Sequence, residues 1–434
     1  MAVKTKTNIT LTEHQQTALD QLHNFLDSPE RLFVLEGYAG TGKTTLLQAF
    51  VSQLKERGDR RDIVFSAFTN KATKVLHQMV SSWGLSVECL TCCQLLGLRP
   101  QINPETGEQE FVLDPNEESS FGKFALVVVD ECSMVNRNLW ELLQTELYAF
   151  HLTTQLLFVG DSAQLPPINE PTSQTFVEIA NKAQLTEVVR YGSSIGVLAE
   201  SVRCHLDTYR LPTFQTDLNE DKTEGTVVLR QSDWTKQLLR AFTSEKGQED
   251  SDYVRALAYT NKQVASLNQQ IRNAIFGAEA CRFVPGERLI AMGPVFRRKD
   301  EIVMQTSSEC WVEDAYEDDS SGWQVWRLFV VTDANFDVEV TVLHESEHQR
   351  FQKELKRLAE GKQWQDFWLL KQQRFANLNY SYALTVHKSQ GSTFQNVFVD
   401  LPNLMRNSNI RERNQLLYVA VTRAAKRLFV CKAR

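Results

Sequence analysis

The sequence has no apolar run that approaches the ~20 residues needed to cross a bilayer. Its longest runs, such as ALVVVD around Val128, fall far short, and the opening MAVKTKTNIT carries no apolar signal region. A cytosolic protein is therefore expected, with no membrane partner. Cysteine is sparse, eight in 434 residues, and scattered rather than spaced as a framework. That excludes a disulfide-stapled secreted domain and fits reduced thiols. Only Cys89, Cys92 and Cys93 cluster, without a fourth ligand at a regular zinc spacing, so packing is their expected role. Positive charge is not in excess either. The net charge of −7 excludes a generally basic surface that coats nucleic acid, although it leaves room for a local basic track. From Arg406 to Arg434 there are eight Lys or Arg and one acid, Glu412. That stretch reads equally as a phosphate-facing track or as a solvated helix face. Solenoid repeats and low-complexity tracts are missing as well.

What is present is ordinary globular material, 42% hydrophobic and 23% charged, in a chain long enough for two to four domains of roughly 100–200 residues. The first 195 residues alternate short β-branched runs with amphipathic stretches: RLFVLEG, TLLQAFVSQLKER, DIVFSAFT, KATKVLHQMVSSW, ALVVVDE, TQLLFVGD. This order predicts an α/β fold with a parallel sheet. Between Gly97 and Gly122 the rhythm breaks around the turn-prone NPETGEQ, which predicts a β-hairpin projecting from the first domain. A second α/β rhythm begins at RALAYTN near Arg255 and resumes at YSYALTVHKSQG, NVFVDLP, NQLLYVAVTRA and RLFVCKA. The interruption, 283–377, contains strand-like GERLIAM, WQVWRLFVVTD and DVEVTVLH. A charged amphipathic helix over 345–360 and the aromatic WQDFWLL follow. It reads as a small β-barrel with a helical tower, and the acidic run EDAYEDDSSG (313–322) as a solvated hairpin loop.

The strongest chemical signal is Gly37-Tyr38-Ala39-Gly40-Thr41-Gly42-Lys43-Thr44-Thr45, which follows the apolar LFVL and opens the amphipathic TLLQAF. That is a P-loop in the context it requires. Its glycines let backbone N–H groups wrap phosphates at a helix N-terminus, Lys43 reaches the β and γ phosphates, and the Thr44 hydroxyl ligates Mg²⁺. ATP and Mg²⁺ are thus the expected cofactors. About 90 residues later ALVVVDECSMV ends a buried strand in Asp130-Glu131. Asp130 is placed for the metal's water shell and Glu131 for polarising the attacking water. LLFVGDSAQLPPI ends another strand in a polar turn, where Gln164 is placed to sense the γ-phosphate.

Taken in order, the P-loop, Asp130-Glu131, GDSAQLPPI, VHKSQGSTF and LLYVAVTRA resemble the motif set of superfamily 1 helicases across nearly the whole chain. More narrowly they resemble the RecD/Dda-like branch, through AFTNKATK after the P-loop, WQDFW in the tower region and VHKSQGST. The resemblance implies two RecA-like domains in tandem. The first is 1–195, with the hairpin of about 97–122 as a strand-separating pin. The second is 196–434, with the barrel and tower of about 283–377 inserted. In LTEHQQTAL it implies that Gln15 reads adenine, alongside a helix N-capped at Thr12. Arg190 in LTEVVRY and Arg423 in YVAVTRA resemble arginine fingers, and Gly391 a backbone approach to the nucleotide. Single-strand contacts fall by resemblance on Thr69, Asn70, Thr91, Thr260, Asn261, His387 and Lys388. Phe68 stands where relatives have Pro, and Cys93 where they commonly have His.

Read from the residues alone, His387 is more readily a satisfied core histidine than a strand contact, Phe111 more readily a core-facing aromatic than a junction-stacking one, and Trp364, Phe367 and Trp368 packing between tower and barrel. The expected protein is a monomeric ATP-dependent helicase moving 5′ to 3′ on single-stranded DNA and opening forked duplex, with replication or repair proteins as partners. An RNA-directed helicase and an ATP-gated remodeller that does not unwind stay open as alternatives.

Overall fold

The computed structural model describes residues 10–102, 109–113, 117–149, 153–167, 169–187, 194–298 and 301–432. A six-stranded, all-parallel sheet organises the first part of the chain. Its strands are β1 (Leu32–Gly37), β2 (Ile63–Ala67), β3 (Glu88–Thr91), β6 (Leu126–Val129), β7 (Gln155–Gly160) and β8 (Lys182–Leu185), in the order β3-β2-β6-β7-β1-β8. Helices cover both faces, so β6 and β7 are buried along their whole length and read as unbroken apolar runs rather than alternations. The chain leaves β1 toward one edge and β7 toward the other, so a crevice opens at the carboxyl ends of these two neighbours. Between β3 and β6 lie β4 (Leu98–Ile102) and β5 (Gln109–Leu113), an antiparallel pair running from Leu98↔Leu113 to Ile102↔Gln109.

A second six-stranded sheet follows: β9 (Asp217–Leu218), β10 (Gly225–Leu229), β11 (Val254–Ala258), β19 (Ala383–Thr385), β20 (Phe394–Val399) and β21 (Ala424–Cys431), ordered β19-β11-β20-β21-β10-β9. All its pairings are parallel except the β9–β10 edge. Between β11 and β19 the chain builds another body from β12 (Arg288–Ala291), β13 (Val295–Arg298), β14 (Glu301–Met304), β15 (Glu309–Asp319), β16 (Gln324–Thr332), β17 (Asp337–Leu343) and β18 (Leu378–Tyr380). The antiparallel order β17-β16-β15-β12-β18 is open by strand pairing. A single backbone bond, Ala376 N–H to the Thr341 carbonyl at 2.7 Å, curls the approach to β18 back onto β17. Inward residues such as Leu289, Val312, Leu328 and Val340 fill its core. The helices His348–Glu360 and Trp364–Trp368 pack on one end through Leu355, Leu358 and Phe367. No helix among the described residues is long and apolar enough to cross a membrane.

Two sequence expectations fail here. The acidic run is not a loop: residues 313–319 belong to β15, where Asp314 to Asp319 pair in register with β16 after an irregularity at Glu313, and only the turn beyond them reverses the chain. This part of the strand extends past the core. Both faces meet solvent, so its acids obscure the alternation, and Asp318 is held by Arg327 from β16 at 2.9 Å. Phe111 does not face a core; it is 40% exposed on β5.

Candidate active site and strand-binding surface

The P-loop joins β1 to the helix Lys43–Glu56, and Gly42 caps that helix with φ 82°. A side chain there would be strained, and its Cβ would lie 2.3 Å from Nε2 of Gln15. Gln15 is buried, closes a capping box with Thr12 and donates to the Thr41 carbonyl at 3.0 Å. The capping of the first helix and the support of the P-loop thus come from one amide. The Lys43 ammonium rests on the carbonyls of Gly37 and Tyr38, at 3.2 Å for Tyr38. Thr44 and Thr45 are exposed at the first turn.

Asp130 and Glu131 end β6 beside the P-loop. Glu131 adopts φ 53°, ψ 42°, a left-handed conformation unusual for a residue with a side chain. Burial and the neighbouring Glu131 carboxylate push the Asp130 carboxyl up to about 7, against the pull of Lys43 and the Glu131 amide. The folded state retains a proton on Asp130 that the unfolded chain gives up near the ordinary carboxylate value. Stability therefore falls as pH rises through the interval up to about 7. Asp130→Asn should leave nucleotide-free melting unchanged below pH 4 and stabilise by about 1–3 kcal/mol at pH 8. Equal melting of variant and parent at pH 8 would show that Asp130 is not held in this way.

At the end of β7, Gly160 leaves no room for a side chain, since a Cβ would meet Cys132 Sγ at 2.5 Å. Gln164 is buried, donates its backbone N–H to Asp161, and has a side-chain oxygen without a hydrogen-bond partner. Across the crevice Gln415 donates to the Gln164 carbonyl at 2.9 Å and Gln390 to the Leu165 carbonyl at 3.3 Å. Arg423 is buried, with its guanidinium on the carbonyls of Ser392 (2.9 Å) and Val419 (3.3 Å). Gly391, at φ 70°, faces Ala72 of the first part across 3.5 Å from an added Cβ. Arg190 lies outside the described residues.

Residues 10–205 match the AAA domain family and residues 380–431 the UvrD-like helicase C-terminal domain. The chain is 26% identical to the ATP-dependent DNA helicase dda of Enterobacteria phage T4, over 96% of this chain and 98% of that one. The chain is a superfamily 1 helicase of the RecD/Dda-like branch. It is also 24% identical to the ATP-dependent RecD2 DNA helicase of Deinococcus radiodurans, over 99% of this chain and half of that one. A solved Pif1 helicase structure, of two copies coordinating at forked double-stranded DNA, shares its fold with TM-score 0.52 and 15% identity over 97% of this chain and 92% of that one.

In this helicase the three threonines assigned by resemblance to strand contacts all cap helices. Thr69 accepts from Ala72 N–H at 3.2 Å, Thr91 from Gln94 N–H at 3.1 Å and Thr260 from Gln263 N–H at 3.3 Å. Asn70 and Asn261 are the first helical residues behind Thr69 and Thr260. His387 is not a core residue; its side chain is 39% exposed and stands 3.8 Å from Glu412. Burial lowers both His387 and Lys388, whose ammonium lies 2.8 Å from the Met292 sulfur.

Several contributors were not singled out beforehand. Asn403 accepts from the Tyr259 and Thr260 amides at 2.8 and 3.0 Å and donates to the Thr260 hydroxyl, so it holds that capping turn. Arg203 stacks on the Tyr38 ring at 3.7 Å, and Tyr418 reaches the P-loop from the second sheet. A polar residue after Pro402 was the signal for Asn403; Tyr418 stands in the LLYVAVTRA motif, which drew attention to Arg423 instead, and for Arg203 the sequence offered none.

Proposed function

We propose that the protein is an ATP-dependent DNA helicase that translocates 5′ to 3′ on single strands and separates forked duplex. The observation that carries this reading is the crevice itself. The P-loop, the Asp130-Glu131 pair and Gln164 come from one sheet, while Gln390 and Gln415 reach the Leu165 and Gln164 carbonyls and Tyr418 reaches the P-loop from the other, which supports a nucleotide held between the two.

In this reading Lys43 and the P-loop amides of Gly37 to Thr45 hold the phosphates, and Gln15 and Gly391 border the nucleotide. Thr44 and Asp130 hold Mg²⁺, which neutralises phosphate charge when bound. Their fit rests on the exposed Thr44 hydroxyl beside a buried carboxyl whose charged form needs a cation. Glu131 orients the attacking water, Gln164 senses the γ-phosphate with its free side-chain oxygen, and Arg190 and Arg423 stabilise the charge that develops. Closing and opening of the crevice then shifts one strand-gripping surface against the other.

Those surfaces are the helix N-termini behind Thr69 and Thr260, one on each sheet, with Thr91, Asn70, Asn261, His387 and Lys388 beside them. A capping threonine leaves the remaining first-turn N–H groups free for a phosphate, without reading the base. We assign residues 1–195 and 196–434 as the two motor domains, the β4–β5 hairpin with exposed Phe111 as the pin, and the β12–β18 body with its helices as barrel and tower.

The test is strand separation on two partial duplexes, one with a 5′ and one with a 3′ single-stranded tail. ATP-dependent opening of only the 5′-tailed duplex is the expected result. Opening of only the 3′-tailed one would overturn the direction, and ATP hydrolysis without opening would favour a remodeller.

A further inference from the structure

Tyr418 lies in the helix Ile410–Thr422 of the second sheet, five residues before Arg423, and is almost completely buried. Its phenol oxygen accepts the Ala39 N–H of the P-loop at 2.9 Å and donates its hydrogen to Oδ2 of Asp161 at 2.7 Å. Ala39 and Tyr418 are 379 positions apart. Asp161 ends β7, is fully buried, and receives the Ala163 N–H on its other oxygen at 2.9 Å. The Lys43 ammonium and Glu131 both act on this carboxylate electrostatically. The neighbouring P-loop residue Tyr38 is gripped from the same side by Arg203, at 3.7 Å from its ring.

A hydroxyl that both accepts and donates fixes three groups at once, and in a water-free site each bond is worth more than at the surface. We propose that Tyr418 is a positioning residue for ATP hydrolysis. Through Ala39 and Asp161 it sets the P-loop and the environment of Lys43 according to where the second domain sits. It reports crevice closure to the phosphate site without touching the phosphate. Packing alone does not explain it: a phenylalanine would fill the same volume, and the buried Asp161 carboxylate and Ala39 amide would then each lose a partner.

This inference rests on the helicase reading, and the measurements separate the two. Tyr418→Phe keeps the ring and removes one oxygen. DNA-stimulated kcat should fall about tenfold while KM for ATP stays within about twofold, because an interaction made on closure is lost rather than ground-state binding. Asp161→Asn should also slow turnover, and the double variant should be no slower than the slower single one, since both remove the same connection. Thermal melting reports whether each variant is folded. A Tyr418→Phe enzyme with the parent's kcat, or losses that multiply in the double variant, would overturn the proposal. A parent protein that hydrolyses no ATP in the presence of DNA would instead overturn the helicase reading.

Discussion

Lys43→Ala is expected to lower DNA-stimulated ATP turnover by about 10²–10³-fold and to abolish strand separation on both tailed duplexes. In the proposed chemistry the ammonium is the group that meets the phosphate charge. It sits on the Gly37 and Tyr38 carbonyls at the base of the P-loop and opposes the burial that raises the carboxyls of both Asp130 and Asp161. A cation preorganised on two backbone carbonyls needs little rearrangement when charge develops, so its loss appears in kcat more than in folding. Melting close to that of the parent, with turnover near zero, is the outcome that ties the crevice to the motor. Unwinding within tenfold of the parent would remove Lys43 from the proposed chemistry.

Glu309→Gln should be the most destabilising conservative substitution outside the crevice. Glu309 is buried at the start of β15 and receives two bonds from Arg255, at 3.0 and 3.2 Å, and one from Lys71 at 3.1 Å. Arg255 is 1% exposed, and both cations lie over the Phe394 ring, at 4.7 and 5.0 Å. The cluster joins the first-sheet helix Asn70–Ser82, strand β11 and the inserted body. Removing the Glu309 charge takes the carboxylate from the buried Arg255 and leaves Lys71 to the more exposed Asp252, 3.3 Å away, at a cost of about 3–5 kcal/mol. Burial alone would raise the Glu309 carboxyl, but Arg255 and Lys71 together hold it below the ordinary value. Its contribution is therefore complete above the ordinary carboxylate pKa and disappears as pH falls through the lower, folded-state value. Urea denaturation should show the full deficit at pH 7.5 and a smaller one once the pH falls below that value. A deficit under about 1 kcal/mol at pH 7.5 would mean that water reaches the cluster.

The two substitutions probe parts of the protein that differ in how far the sequence reveals them. The P-loop was legible because its function depends on consecutive residues: glycine at φ 82°, a lysine and a helix start must adjoin in the chain. Asp130 was legible for a related reason, since a buried parallel strand is an unbroken apolar run and the polar residue that follows it stands at its carboxyl end, while Gln164 lies in the polar turn just beyond β7. The threonines were recognisable by resemblance, and capping explains their position locally.

Local sequence determined the alternation of strand and helix, the places where strands end in polar turns and the capped helix starts, because each depends on neighbours a few residues apart. Tertiary structure alone decided that the acidic run is paired strand rather than loop, that Phe111 meets solvent, and that Asn403 holds the Thr260 turn. It also decided the Glu309 cluster and the Tyr418 bridge. A buried hydrogen bond or ion pair is specified by what surrounds it in space. Neither Ala39 nor Tyr418 carries a pattern that points across the 379 positions between them.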